Sequence, residues 1–302
     1  MDAPTIVVGT FTRSLLIHVA RVTGKWDAVG LRVDERSVTS SPAQFASAAS
    51  GEYDLILTGP DNVLAYRFVA DNPLGRILPV EILAGIDGGL GLGLWAAPGG
   101  GGGAGEVRRV GVDVAVSGFA FLAYGLLARA GVAPGSYEVV ALGATPRRAA
   151  ALVAGECDVT ILNAGNELRA GREGCGLLAS VTDYGPYLGT VLAGLPVHEE
   201  GRKRMRESFR AVLVETISEL LAGRHRDVFL RGAQEVLGLT ADEAEQHHAV
   251  AMSAEHGYLP GGVIPRERLA TLVELRNSYG PGEPILDGIP RLESLIAEGG
   301  LR

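Results

Sequence analysis

The stretch SGEYDLILTGPDN at residues 50–62 recurs in register as AGECDVTILNAGN at residues 154–166. Gly51 and Gly155, Glu52 and Glu156, Asp54 and Asp158, and Asn62 and Asn166 all stand 104 positions apart. Chance composition does not preserve spacing across a Gly-Glu-x-Asp turn, an apolar run and a polar cluster. The chain therefore carries a repeated supersecondary unit, and a repeat of this kind limits the folds open to it.

The repeat extends in both directions. Short β-branched apolar runs predict strands at 5–11, 31–38 and 53–58 in the first unit, and at 108–113, 137–142 and 157–162 in the second. Apolar positions three and four apart, with Ser, Thr or Pro at the start and Gly at the end, predict helices at 12–24 and 41–50, then at 117–131 and 145–155. Two βαβαβ units predict an α/β protein with two parallel-sheet lobes. The small-residue apolar runs 81–98 and 187–196 read as two crossings between the lobes. Lobe one is then residues 1–92 plus 190–302, and lobe two is residues 93–189. From about residue 197 the pattern is helical, and these helices are expected to pack on lobe one. Thr240 followed by Glu243 marks one helix start as a capping box.

Several function classes fall away. A formal net charge of -8 gives no electrostatic ground for a nucleic-acid partner, and the basic run GRKRMRESFR at 201–210 reads as the solvated side of an amphipathic helix. No segment approaches the ~18 uninterrupted apolar residues of a membrane span. The two cysteines, Cys157 and Cys175, lack zinc-ligand spacing; a disulfide between them stays open but is not implied. Neither GGGGG at 99–103 nor GLGLG at 89–93 joins a strand to a helix as a nucleotide-binding loop must. There is no GxSxG or HExxH motif, and the two lysines, Lys25 and Lys203, lie outside strand ends, which argues against Schiff-base chemistry. No metal and no cofactor is expected. The start MDAPTIVVGTF has no export signal, so the sequence as written predicts a cytoplasmic protein; a true start upstream with a leader would make it extracytoplasmic.

In open parallel sheets ligands gather beyond the carboxyl ends of the strands, where helix N-termini present free N–H groups. Those positions hold Thr10, Phe11, Thr12 and Arg13; Ser40; Asp61 and Asn62; Ser117, Gly118 and Phe119; Arg148; and Asn163 and Asn166. Hydroxyls, amides, backbone donors and arginines suit a small polar or anionic molecule with a flat portion. Ser117 and Gly118 with Arg148 are the candidate anion site, although Ser117 equally fits a helix cap. Tyr184 and Tyr187 fall near the return crossing, placed either to stack on a ligand or to pack at a hinge. Catalytic groups are scarce: Asp61, Glu167 and these tyrosines are the candidate acids and bases. His18, His247, His248 and His256 lack metal or catalytic spacing.

The segments GKWDAVGLRVD (24–34), SSPAQFASAASGEYDLILTGPDNVLAYR (40–67), VDVAVSGFAFLAYGLLARAGV (112–132) and GATPRRAAALVAGECDVTILN (143–163) resemble the type II periplasmic substrate-binding proteins of ABC transporters. Within that family the likeness is to the alkanesulfonate and thiamine-pyrimidine binding group, and with its order of elements it covers about two thirds of the chain. It implies a two-lobed fold closing by hinge motion on a small organic acid or heterocycle, with an ABC permease as partner only if an export leader is missing from this sequence. The alternative is a cytoplasmic, metal-free lyase or decarboxylase using the same cleft, with Asp61, Glu167 or a tyrosine as its acid or base.

Overall fold

A computed structural model of the chain describes residues 3–99, 107–281 and 296; the glycine run beyond Gly99 lies outside them. In chain order the strands are β1 (Thr5–Thr10), β2 (Arg32–Ser37), β3 (Leu55–Thr58), β4 (Glu81–Asp87), β5 (Gly93–Ala96), β6 (Arg109–Val112), β7 (Glu138–Ala141), β8 (Val159–Leu162), β9 (Gly176–Ser180) and β10 (Thr190–Gly194). They form two five-stranded sheets of the same design, ordered β2-β1-β3-β10-β4 and β7-β6-β8-β5-β9. The three strands of each repeat unit run parallel. A strand arriving from the other lobe is inserted antiparallel: β10 beside β3 and β4, and β5 beside β8 and β9. The repeat alone suggested all-parallel units, and this exchange of strands is what it did not reveal.

The helices are α1 (Leu15–Val22), α2 (Lys25–Ala28), α3 (Ser41–Ala49), α4 (Pro60–Phe68), α5 (Gly118–Arg129), α6 (Thr145–Val153), α7 (Asn166–Arg172), α8 (Glu200–Leu221), α9 (Arg226–Leu237), α10 (Ala241–Ala251) and α11 (Arg266–Tyr279). The 104-residue offset carries α3 onto α6 and β3 onto β8 without a residue of slip. All four residues of β3 are buried. Leu55 and Leu57 face a core with Trp26, Phe209 and Phe229, whereas Ile56 faces one with Phe45 and Tyr66. A strand covered on both faces must be apolar throughout, which is why LILT shows no alternation.

The C-terminal helices divide. α8 docks on lobe one by stacking Phe209 on Trp26, ring centroids 5.0 Å apart. α9 packs on α1 and α10 on α9. The Thr240–Glu243 capping box forms as expected, each residue bonding the other's backbone N–H. α11 departs from the expectation: it packs against α5 of lobe two as well as α4 of lobe one, and Leu269, Leu272 and Leu275 enter a core shared with Leu126. Local periodicity marks a buried helix face but does not say which lobe covers it.

Candidate ligand-binding site

The lobes meet along a cleft of about 1030 Å³, counting its solvent-open mouth. Direct bonds cross between them: Ser41 N–H donates to Asp113 Oδ2 at 3.1 Å, and Ala144 N–H to the Thr39 carbonyl at 2.9 Å. Gly143, at φ +79°, permits that approach, since a Cβ there would lie 2.7 Å from the Thr39 oxygen.

Of the residues named from the sequence, Phe11, Thr12, Arg13, Asp61, Asn62, Ser117, Gly118, Phe119, Arg148, Asn163 and Tyr187 line this cleft. Ser117 both caps α5, accepting from Ala120 N–H at 3.3 Å, and faces the cleft. Asn163 donates to the Gly89 carbonyl at 3.1 Å and so ties the lobe-two wall to the first crossing.

Four named residues lie elsewhere. Thr10 is buried behind the wall, its hydroxyl donating to Glu35 Oε1 at 3.0 Å, where Glu35 also accepts from Ser14 N–H and anchors the turn into α1. Ser40 caps α3 by accepting from Ala43 N–H. Tyr184 clamps α5 to α11: the Arg129 guanidinium lies 4.1 Å from its ring, and its hydroxyl donates to Glu274. Asn166 faces an adjoining pocket and donates to Thr12 Oγ1 at 3.1 Å, bridging the lobes. Its echo, Asn62, instead bonds Thr58 at 3.1 Å within its own turn. The two diverge because Ala164 and Gly165 take left-handed conformations, so α7 begins at Asn166, whereas α4 begins at Pro60.

The candidate acid-base pair is engaged or remote. Asp61 is gripped through both carboxylate oxygens by Arg276 of α11. Glu167 does not line the cleft; it is buried beside Gly91 with Oε2 unpartnered, and burial pushes its carboxyl up to about 8.

The cleft also contains groups the sequence did not single out. Asp87, at the end of β4, accepts from Gly89 N–H at 2.8 Å and is pushed up to about 6 by burial. Asp113 directly follows β6, and Tyr258 and His247 arrive from the C-terminal region. The carboxyl ends of β4 and β6 could have flagged both aspartates. His247 carried no such signal: it lies in α10, stacked on Phe229 at 5.8 Å, and burial pulls its imidazole down to about 4. A neutral imidazole with buried Nδ1 unpartnered thus faces the cleft.

Arg148 dominates the electrostatics. It is 2% exposed and donates to the Gly143 carbonyl, Thr145 Oγ1 and the Ile161 carbonyl. Among the described residues no carboxylate oxygen stands within 4 Å of it, and burial pulls it down to about 10 against the opposing charge of Asp113. Its guanidinium lies 5.8 Å from the Phe119 ring centroid.

No protein-family model and no curated protein matches the sequence. Solved structures superpose on the chain. A Bordetella bronchiseptica protein superposes with TM-score 0.74 at 15% identity over 98% of this chain and 95% of its own. A Candida albicans gene product described as having the generic periplasmic binding protein fold gives 0.71 at 15% identity over 99% and 98%. The alkanesulfonate-binding protein SsuA of Xanthomonas axonopodis, bound to MOPS, gives 0.69 at 14% identity over 91% and 90%. The chain has the periplasmic binding protein fold. At these identities the likeness fixes the architecture alone, and what the cleft of this chain recognises is set by its own residues. Among the described residues no helix is long and apolar enough to cross a membrane, and no cluster of His, Cys, Asp and Glu is arranged to hold a metal.

Proposed function

We propose that the protein binds a small organic acid or acidic heterocycle in the interlobe cleft and releases it unchanged. The observation that carries this reading is Arg148: a cationic side chain 2% exposed in the cleft wall, without a carboxylate in contact among the described residues, beside the Ser117-capped N-terminus of α5. A buried charge is costly until an opposite charge meets it, and helix-terminal N–H groups favour the same anion. The acid seats there with its flat or apolar part against Phe119 and Phe11.

The two lobes move as bodies about the two crossings and close on the ligand, with α11 packed on both α4 and α5 at their boundary. An alkanesulfonate-binding neighbour of the same fold supports an acidic ligand class. An import permease belongs to this reading only for a form of the protein carried across a membrane. The engagement of Asp61 and the seclusion of Glu167 favour binding over turnover, because a binder needs complementarity to the ground state alone.

The test is a thermal-shift screen of small acids, followed by mass spectrometry of the recovered ligand. A ligand that stabilises the protein and returns with its mass unaltered is the expected result. A product that forms only with intact protein would make the cleft an active site instead.

A further inference from the structure

The cleft wall that holds Arg148 also holds a carboxylate. Asp113 is 7% exposed at the carboxyl end of β6; Oδ2 accepts from Ser41 N–H across the lobe boundary, and Oδ1 is buried without a hydrogen-bond partner. Arg148 is in the complementary state. Its Nη1 and Nη2 are held by the Gly143 and Ile161 carbonyls and the Thr145 hydroxyl, while Nε is buried without a partner. Both residues line the same cleft. The cleft lining thus contains, in two residues of opposite type, a buried acceptor and a buried donor that are both without a partner.

A simple anion would satisfy only half of this. It would meet Arg148 but leave Asp113 Oδ1 unpaired and bring two negative groups together in a site shielded from water. Each unpaired buried polar atom exacts a penalty that a ligand bearing the matching group removes, so the wall selects for a molecule with both functions. We infer that the cleft takes an amphoteric ligand, with an acid group for Arg148 and an N–H donor for Asp113. The inference rests on the proposed ligand-binding role and narrows it to acids that also bear an amine or amino substituent.

The experiment compares matched probes differing only in the amino group: 4-aminobutyrate against butyrate, and anthranilate against benzoate, titrated into the full chain by calorimetry. The amine-bearing member of at least one pair should bind at least about tenfold tighter. In Asp113→Asn the Asn oxygen can still accept from Ser41 N–H while an NH₂ group takes the place of the unpartnered Oδ1. This variant should bring the preference within about threefold or reverse it. Equal binding of both members of each pair to the wild-type protein overturns the inference while leaving acid binding intact. Binding of none of the four acids sinks the inference, and an empty result across the wider acid screen sinks the ligand-binding role with it. Should the variant fail to fold, the wild-type comparison alone decides.

Discussion

Arg276 holds Asp61 across 215 positions of sequence, Nε meeting Oδ1 at 2.5 Å and Nη2 meeting Oδ2, with both side chains buried. Asp61, in the first turn of α4 of lobe one, lies against Gly118, which opens α5 of lobe two. The ion pair therefore fastens α11 where the two repeat units meet, and the Arg276 guanidinium also lies 4.9 Å from the Phe121 ring.

Breaking one side of that pair strands a buried charge. Arg276→Met should cost about 3–5 kcal/mol of stability in urea unfolding, and Asp61→Ala added to it should recover at least half of the loss. A single variant as stable as the wild type would mean that the pair is solvated in solution.

Gly118 is confined by contact. A Cβ there would lie 2.5 Å from Asp61 Cβ, a separation that side-chain rotation cannot relieve. Gly118→Ala should hold the lobes apart, so solution X-ray scattering should give a larger radius of gyration than for the wild type. An unchanged radius would show that α4 and α5 separate in solution without the extra methyl.

The pH dependence of stability has a defined sign at Glu167. Its folded value is raised from 4.5 to about 8, so the folded protein keeps a proton that the unfolded chain gives up. Stability from this group is therefore lost as pH rises from about 4.5 to about 8 and changes no further above that. Glu167→Gln should be more stable than the wild type by about 1–3 kcal/mol at pH 8 and nearly equal to it at pH 4. Identical denaturation midpoints at both pH values would show that the carboxyl finds a partner or water.

Much of this architecture was legible in the sequence because the repeat is local and periodic. The Ser41–Ala49 and Thr145–Val153 helices and the Leu55–Thr58 and Val159–Leu162 strands follow from spacing alone, and the strand-end rule reached Asp61, Ser117, Gly118 and Arg148. What stayed hidden was set by long-range packing. Asn62 and Asn166 match in sequence, but two left-handed residues ahead of Asn166 turn its side chain to Thr12. His247 and Arg276 reach the site and its border from helices whose docking no local pattern encodes, and Thr10 is taken by Glu35, a residue that looked like an ordinary strand position.

The central claim, that Arg148 receives an acid in the cleft, is tested most directly by titrating the best-stabilising acid into wild-type protein and into Arg148→Gln in a calorimeter. Since Arg148 also bonds Gly143, Thr145 and Ile161, the circular-dichroism spectrum of the variant must match the wild type first. Loss of a charge-assisted bond predicts binding weaker by about 1.5–3 kcal/mol in the variant. Equal affinity in a folded variant would contradict the account, because the acid would then be bound without the buried cation that Arg148 supplies to the cleft wall.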